Sequence, residues 1–353
     1  MKRKSTQNEV TLLSEMIHDD KISSFQSTLL RLDRLIPWED FRPLLLQVRK
    51  PSPKGGRPPY DEILMFRRLI LQELYGLSDE ALEFQILDRR SFQMFLGMNI
   101  ASDVPDARTI WRLRELLKSH DLIKKLFDRF NEYLSAQGVI AREGRIVDAT
   151  FVETPRPHNT REENRLIKEN KDKEEVFPTK SDRSRSQKDT DARGAYKRSE
   201  YHFGYKDAVS VDPETKLVEN YEVTSANVHD SRQLLSVLTS PEHDGSQIYA
   251  DSAYSSAELS QRLLDLGYRP EICARSYRNR PLTETQKLAN SYKSRIRSRV
   301  EHVFGDIKNR RGGLLIRTIG IARARVKIGL INLAYNMRRY VSLLTGKLIK
   351  TAF

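Results

Sequence analysis

The stretch RIVDATFVE, residues 145–153, decides how this chain folds. Its alternation of Ile, Val, Thr and Phe predicts a strand, because β-branched and aromatic side chains pack well on a pleated surface. One residue interrupts the apolar run. Asp148 stands inside it, and a carboxylate in a core strand is costly to bury unless it is paired or holds a metal. The plain alternative is an aspartate capping a turn at the strand end.

Upstream of this strand the patterns are helical. SFQSTLLRLDRLI (24–36) is followed by PSPKGGRPPY (51–60), where Pro and Gly break the chain. YDEILMFRRLILQELYG (60–76) is apolar on most faces and predicts a buried helix ending at Gly76. Ser78 is placed to cap DEALEFQILD and Asp106 to cap DARTIWRLRELLKSH, and IKKLFDRFNEYLSAQG (123–138) makes a further helix. Residues 1–138 therefore read as an all-helical N-terminal domain. Within it the helix from Asp106 to Arg114 is a candidate reader of a helix-turn-helix, and Lys54 and Arg57 are candidate phosphate contacts.

Downstream, YHFGYKDAVSVD (201–212) and LVENYEVTSA (217–226) are two more strands joined by PETK. A helix (DSRQLLSVLTS), a strand (SQIYADSAY), a helix (SSAELSQRLLDLG), a strand (RPEICA) and a long basic helix follow. Asp230 is expected to cap the first of these helices, with His229 in the loop before it. Three antiparallel strands, then helix, strand, helix, strand, helix, is the order of an RNase H-like α/β catalytic domain over residues 139–353. Residues 156–198, charged with both signs and poor in aromatics, read as a mobile insertion loop. In this order the first and fourth core strands are neighbours. Asp148 and Asp251, the latter in SQIYADSAY, then lie side by side.

A third acid comes from KSRIRSRVEHVFGDIKNRR, residues 293–311. On a single helix Arg297, Glu301 and Lys308 fall within about 40° of one another. Ile296, Val300, Val303, Phe304 and Ile307 make the adjoining apolar face, while Arg299, His302 and Asp306 point away. The bland reading of Glu301 is an i, i+4 ion pair with Arg297. The sharper one joins it to Asp148 and Asp251 as a three-carboxylate site. Few carboxylates suit Mg²⁺ or Mn²⁺, and two such ions about 4 Å apart serve an in-line displacement at phosphorus.

Composition limits the alternatives. A single cysteine, Cys273, rules out an internal disulfide or a cysteine-cluster zinc site, and the seven histidines have no ligand spacing. No apolar run reaches the length of a membrane span, and no signal segment follows the basic start, so the protein is expected in the cytoplasm at the nucleoid. The net charge is +13, and residues 291–353 alone hold 15 basic against two acidic residues. Such asymmetry predicts a polyanion-binding surface, with double-stranded DNA as partner.

These residues carry a resemblance. DAT at 148–150, DSAY at 251–254, and Arg297, Glu301 and Lys308 at their mutual spacing resemble the motifs of the DDE transposases of bacterial insertion sequences, in the group named for insertion sequences four and five. The tyrosine that opens the family's third motif is Ser294 here, with Tyr292 two residues away. HFGYK (202–206), ANVHDS (226–231), the GRPPYDEILMFRRLILQELYGLSDEALE block and PDARTIWRLRE resemble further family segments. The resemblance implies a polynucleotidyl transferase that binds terminal inverted repeats, cleaves transposon ends and joins the 3′-hydroxyls to target DNA as a homodimer. By position, Asp148, Asp251 and Glu301 would be catalytic metal ligands, and Arg297 and Lys308 would contact DNA near the cleavage point. Arg299, Arg310 and Arg311 extend that basic contact, and Tyr254 either stacks on a base or packs beneath the site. Two rival readings are a transposase-derived regulatory protein that binds without cutting and a stand-alone RNase H-like nuclease.

Overall fold

The computed structural model describes residues 16, 19–23, 28–48, 59–99, 101–140, 144–169, 171–197, 199–238, 245–277 and 281–351. Lys54 and Arg57 lie outside them. RIVDATFVE forms strand β1 (Arg145–Glu153). β2 (Arg193–Lys197), β3 (Glu200–Val211), β4 (Val218–Ser225), β5 (Ser246–Ala250) and β6 (Tyr268–Ile272) complete one sheet. β3 is antiparallel to β1, with Asp148 opposite Val209, and β4 is antiparallel to β3. β5 pairs in parallel with the other edge of β1, through Arg145↔Ile248 and Ile146↔Tyr249 only, and β6 continues in parallel from β5. This is the expected RNase H-like order. Because β5 stops pairing so early, the edge of β1 beyond Asp148 is open to other groups.

The upstream helices are α1 (Thr28–Leu35), α2 (Glu62–Tyr75), α3 (Asp79–Asp88), α4 (Arg90–Phe95), α5 (Ala107–Ser119) and α6 (Leu122–Ala136). Their starts follow the capping logic: Ser78 accepts from Ala81 N–H and Asp106 from Thr109 N–H. Gly76 ends α2 at φ 64, a left-handed position where a Cβ would meet the Arg311 Cα at 3.3 Å. α3 and α5 are separated by α4 and residues 96–106, so they are not the two helices of a tight helix-turn-helix.

Both faces of the sheet are covered. Ile146 and Val152 on one face of β1 join a core with Phe66, Leu69, Phe127 and Phe130 of the upstream helices, while Val147 and Ala149 on the other pack with Leu234, Val237 and Leu263.

The charged insertion is folded, contrary to the expectation of a mobile loop. It holds α7 (Arg161–Lys168), α8 (Lys173–Val176), α9 (Asp182–Ser186) and β2, with Ile167, Val176 and Phe177 buried together. Thr160 and Glu163 form a capping box at its first helix. Asp189 then ties it down, accepting from the Tyr205 hydroxyl at 2.8 Å and from Gly320 N–H at 3.1 Å. After β4 comes α10 (Asp230–Val237), capped not by Asp230 but by His229, whose Nδ1 accepts from Ser231 N–H. The Asp230 carboxylate instead pairs with Lys206 at 2.6 Å. α11 (Ala257–Asp265) follows.

The basic segment is also two helices rather than one: α12 (Glu284–Arg297) and α13 (Arg299–Arg311) meet at Ser298, where the ladder tightens to a Glu301 N–H bond with the Ser298 carbonyl. Ser298 keeps helical dihedrals, so the predicted apolar face survives the join: Val300, Val303, Phe304 and Ile307 are buried. The last helix, α14 (Ile321–Thr351), runs through the core instead of presenting a surface. It packs on α2, α6 and β4, and Ile328, Leu330, Ile331, Leu333 and Met337 are buried.

The C-terminal basic excess is largely consumed inside the molecule. Arg323 pairs with Glu115, Arg338 with Asp306, and Arg325 with Glu222. Most buried is Glu73 of α2, its side chain 0% exposed, which accepts from Arg311 at 2.7 Å and Lys327 at 2.5 Å. That triad joins α2, α13 and α14. Removing one member of a buried charged group leaves the others uncompensated, at about 3–5 kcal/mol. Glu73→Gln is therefore expected to lower stability by about 3 kcal/mol, read as a fall in the denaturation midpoint at unchanged m-value.

Candidate active site

Each candidate acid is held by a different element. Asp148 projects from β1 on the face that meets α12 and α13. Asp251 follows the last residue of β5 and caps a short 3₁₀ turn, its Oδ1 accepting from the Ser252 hydroxyl at 3.1 Å and from Ser252 N–H. Glu301 lies in the first turn of α13. The parallel β1–β5 pairing sets the first two next to each other, and the buried face of α13 sets the third against the sheet.

All three line one cleft of about 630 Å³, together with Arg297 and Lys308. Arg297 is its electrostatic centre: Nη1 donates to Asp148 Oδ2 at 3.0 Å, and Nη2 lies 3.9 Å from Glu301. The i, i+4 contact that competed with a chemical role is thus present, but it is long, and the Glu301 side chain remains 67% exposed to the cleft. Burial pushes the Asp148 carboxyl up from its usual range, against the pull of the Ala149 N–H bond and of Arg297. A carboxylate in that state gains from a second cation. Among the described residues no group of three or more His, Cys, Asp or Glu side chains is already gathered at metal-ligand spacing. The Arg297 guanidinium stands between Asp148 and Glu301. The donor set itself, all carboxylate oxygen on a cleft wall, fits hard divalent cations.

Four of the expected DNA contacts stand elsewhere. Tyr254 is 1% exposed and packs beneath the site with Ala149 and Ile248, so it stacks on no base. Arg311 is buried on Glu73. Arg299 donates to the Pro213 carbonyl at 3.1 Å and lines a separate hollow with Tyr292, the residue nearest the family's missing tyrosine. Arg310 pairs with Asp306 at 3.2 Å, away from the cleft. Sequence spacing put these side chains near the site, but Arg299 and Arg311 find their partners on other elements and Arg310 finds its own along α13.

The cleft also holds residues that sequence reasoning passed over. His202 Nδ1 is 2.6 Å from Glu153 Oε1, the same carboxylate accepts from Phe203 N–H at 3.1 Å, and the imidazole stacks on Phe151 at 4.1 Å. Lys197 of β2 lines the cleft too and lies 5.8 Å over the Phe151 ring. The pairing of β3 with both β1 and β2 brings these together, and no one-dimensional spacing encodes it.

The family described as "Transposase DDE domain" matches residues 141–337, more than half of the chain and the whole of the cleft. The chain belongs to the DDE transposase family. A second family, described as a transposase domain, matches residues 16–116 in the upstream helices. Among solved structures, a cryo-EM structure titled as a piggyBac transposase synaptic complex with hairpin DNA aligns at 14% identity and a TM-score of 0.45, over 91% of this chain and 76% of that one. As a DDE transposase the protein is an enzyme of DNA cleavage and strand transfer that works with divalent metal. No helix among the described residues is long and apolar enough to cross a membrane.

Proposed function

We propose that Asp148, Asp251 and Glu301 are the catalytic acids of this transposase and hold two Mg²⁺ or Mn²⁺ ions. The observation that carries the reading is the single cleft lined by all three, with Arg297 and Lys308 beside them. When bound, the ions supply Lewis acidity at phosphorus and an activated oxygen nucleophile. The protein's own groups do the rest. Lys308 offers a positive charge on the same helical stripe as Glu301 and holds a phosphate oxygen as a point charge. Arg297 orients Asp148 before substrate arrives, and its fork can pass to a DNA phosphate once Asp148 has another cation to face. The Ser252 contacts fix one Asp251 oxygen and leave the other toward the cleft.

In this reading the enzyme recognises terminal inverted repeats, cleaves the element ends and joins the 3′-hydroxyls to target DNA, acting as a homodimer on paired ends. Residues 1–138 serve DNA-end binding or dimerisation, and 139–353 the chemistry. The test is a cleavage assay on the element's own ends with Mg²⁺, Mn²⁺ or chelator. Wild type should cut only with metal, and Glu301→Gln should not cut with either ion while binding the same DNA. A Glu301→Gln protein that cuts at the wild-type rate removes Glu301 from the site.

A further inference from the structure

Lys197 ends β2, the strand that the folded insertion adds to the sheet. β2 pairs with β3 from Arg193↔Gly204 to Lys197↔Glu200, while β1 pairs with β3 only as far as Glu153↔Gly204. The β2–β3 hairpin therefore runs on past the end of β1. Strand alternation puts Lys197, Glu200 and His202 on one face of it, and all three line the catalytic cleft.

The acids around Lys197 are engaged with other groups. Glu153 lies 2.6 Å from His202 Nδ1 and accepts from Phe203 N–H at 3.1 Å. Glu200, the cross-strand neighbour of Lys197, is 3.9 Å from His202 Nε2. Asp148 accepts from Arg297. Among the described residues Lys197 has no carboxylate within ion-pair distance, and its exposed ammonium lies 5.8 Å over the Phe151 ring. The ring steadies the charge without neutralising it. That charge is felt at the first acid: burial pushes the Asp148 carboxyl up, and Lys197 is among the cations that draw it back.

Phe151 stands three residues beyond Asp148 on β1, about 10 Å at about 3.4 Å per residue. A DNA strand rises about 3.4 Å per nucleotide, so the same distance covers about three nucleotides. A strand with its scissile phosphate at Asp148, Asp251 and Glu301 thus carries another phosphate past Lys197. An unneutralised ammonium on the wall of a DNA-cleaving cleft suits a phosphate oxygen, which it holds as a point charge.

We infer that Lys197 holds a phosphate of the strand being cut, within about three nucleotides of the scissile bond, from the sheet side of the cleft while Lys308 acts from the helix side. This rests on the reading of the cleft as the place where DNA is cut. The insertion then contributes a substrate contact to the site, and β2 is the element that delivers it.

The experiment is a double-mutant cycle between protein and DNA. Single phosphates of the cut strand, up to about three nucleotides to either side of the scissile one, are replaced in turn by neutral methylphosphonate. The kcat/KM of Mg²⁺-dependent cleavage is measured for wild type and for Lys197→Met. On native DNA Lys197→Met should lose about 10- to 100-fold, as for a hydrogen bond to a charged group, and Lys197→Arg should keep most of the rate. At one position the neutral linkage should cost wild type the same factor and cost Lys197→Met nothing further. Because the side chain is exposed, both variants should melt with wild type.

Losses that multiply at every position overturn the inference, as does a Lys197→Met protein that cuts at the wild-type rate. Recovery of Lys197→Met at high Mg²⁺ also overturns it, since Lys197 would then act only through the charge on Asp148. The cycle is repeated on affinity in the Glu301→Gln background, where the same phosphate should again fail to add. If Glu301→Gln cuts like wild type while the cycle still closes on one phosphate, the catalytic assignment falls and the Lys197 contact stands.

Discussion

Asp148→Asn is expected to reduce metal-dependent cleavage by at least about a thousandfold, a loss of about 4 kcal/mol in transition-state stabilisation, while DNA affinity stays within a few-fold of wild type. The amide matches the carboxylate in shape but cannot carry the negative charge that a divalent cation needs. It also frees Arg297, whose Nη1 now donates to Asp148 at 3.0 Å. A freed guanidinium beside the cleft should hold DNA no less well than before. The same substitution should leave the melting temperature unchanged or raise it, because the carboxyl is buried enough for desolvation to outweigh its partners. Function and stability then move in opposite directions at one residue. That combination separates a catalytic acid from a structural one: a structural Asp148 would lose both together. Asp251→Asn should behave likewise in cleavage, with some loss of local order because its carboxylate caps the turn at Ser252.

The contrast between what was legible in the chain and what was not follows the range of the interactions. RIVDATFVE announces a strand because alternation and β-branching act over a few residues, and the caps at Ser78 and Asp106 are equally local. The face of α13 could be drawn from helical periodicity across Ser298, since that residue keeps helical dihedrals even where the ladder is interrupted. The basic C-terminus misled for the opposite reason. Its carboxylate partners Glu73 and Glu115 lie more than two hundred residues upstream, so local counting saw an unmatched excess where the fold makes ion pairs. The insertion looked unstructured because its core is only Ile167, Val176 and Phe177, too few apolar residues to register in a composition dominated by charge. Tyr254 lies three residues from Asp251, yet the 3₁₀ turn points one into the core and the other into the cleft.

Asp207→Asn is expected to stabilise the protein at neutral and mildly alkaline pH and to do nothing near pH 4. Asp207 is fully buried on β3, and burial pushes its carboxyl up to about 8, although both oxygens accept from the Asn332 amide of α14 at 3.1 and 3.2 Å. Its folded-state pKa is thus above the unfolded value of about 3.9. Below the unfolded value the group is neutral in both states and contributes no pH dependence. Between the two values the unfolded chain releases the proton and the folded chain retains it, so stability falls as pH rises, by at most about 1.4 kcal/mol per unit. Above about 8 the folded state ionises as well and the penalty stops growing. Wild type should therefore lose stability through the window from about pH 4 to pH 8. The isosteric amide cannot ionise and keeps the packing between β3 and α14. Urea denaturation at pH 5 and pH 8 measures the difference: Asp207→Asn should gain over wild type by a margin of a few kcal/mol that opens with pH. A margin identical at both pH values would mean that the carboxyl ionises in the folded protein as readily as in water, with a compensating partner on another element. The strand register makes the position consequential, since Asp207 faces Thr150 across the β1–β3 pair, two residues from Asp148. The Asn332 amide donates to the carboxyl in either protonation state, so what Asp207→Asn relieves is the desolvation of the ionised group, on the strand paired with the one that presents the first catalytic acid.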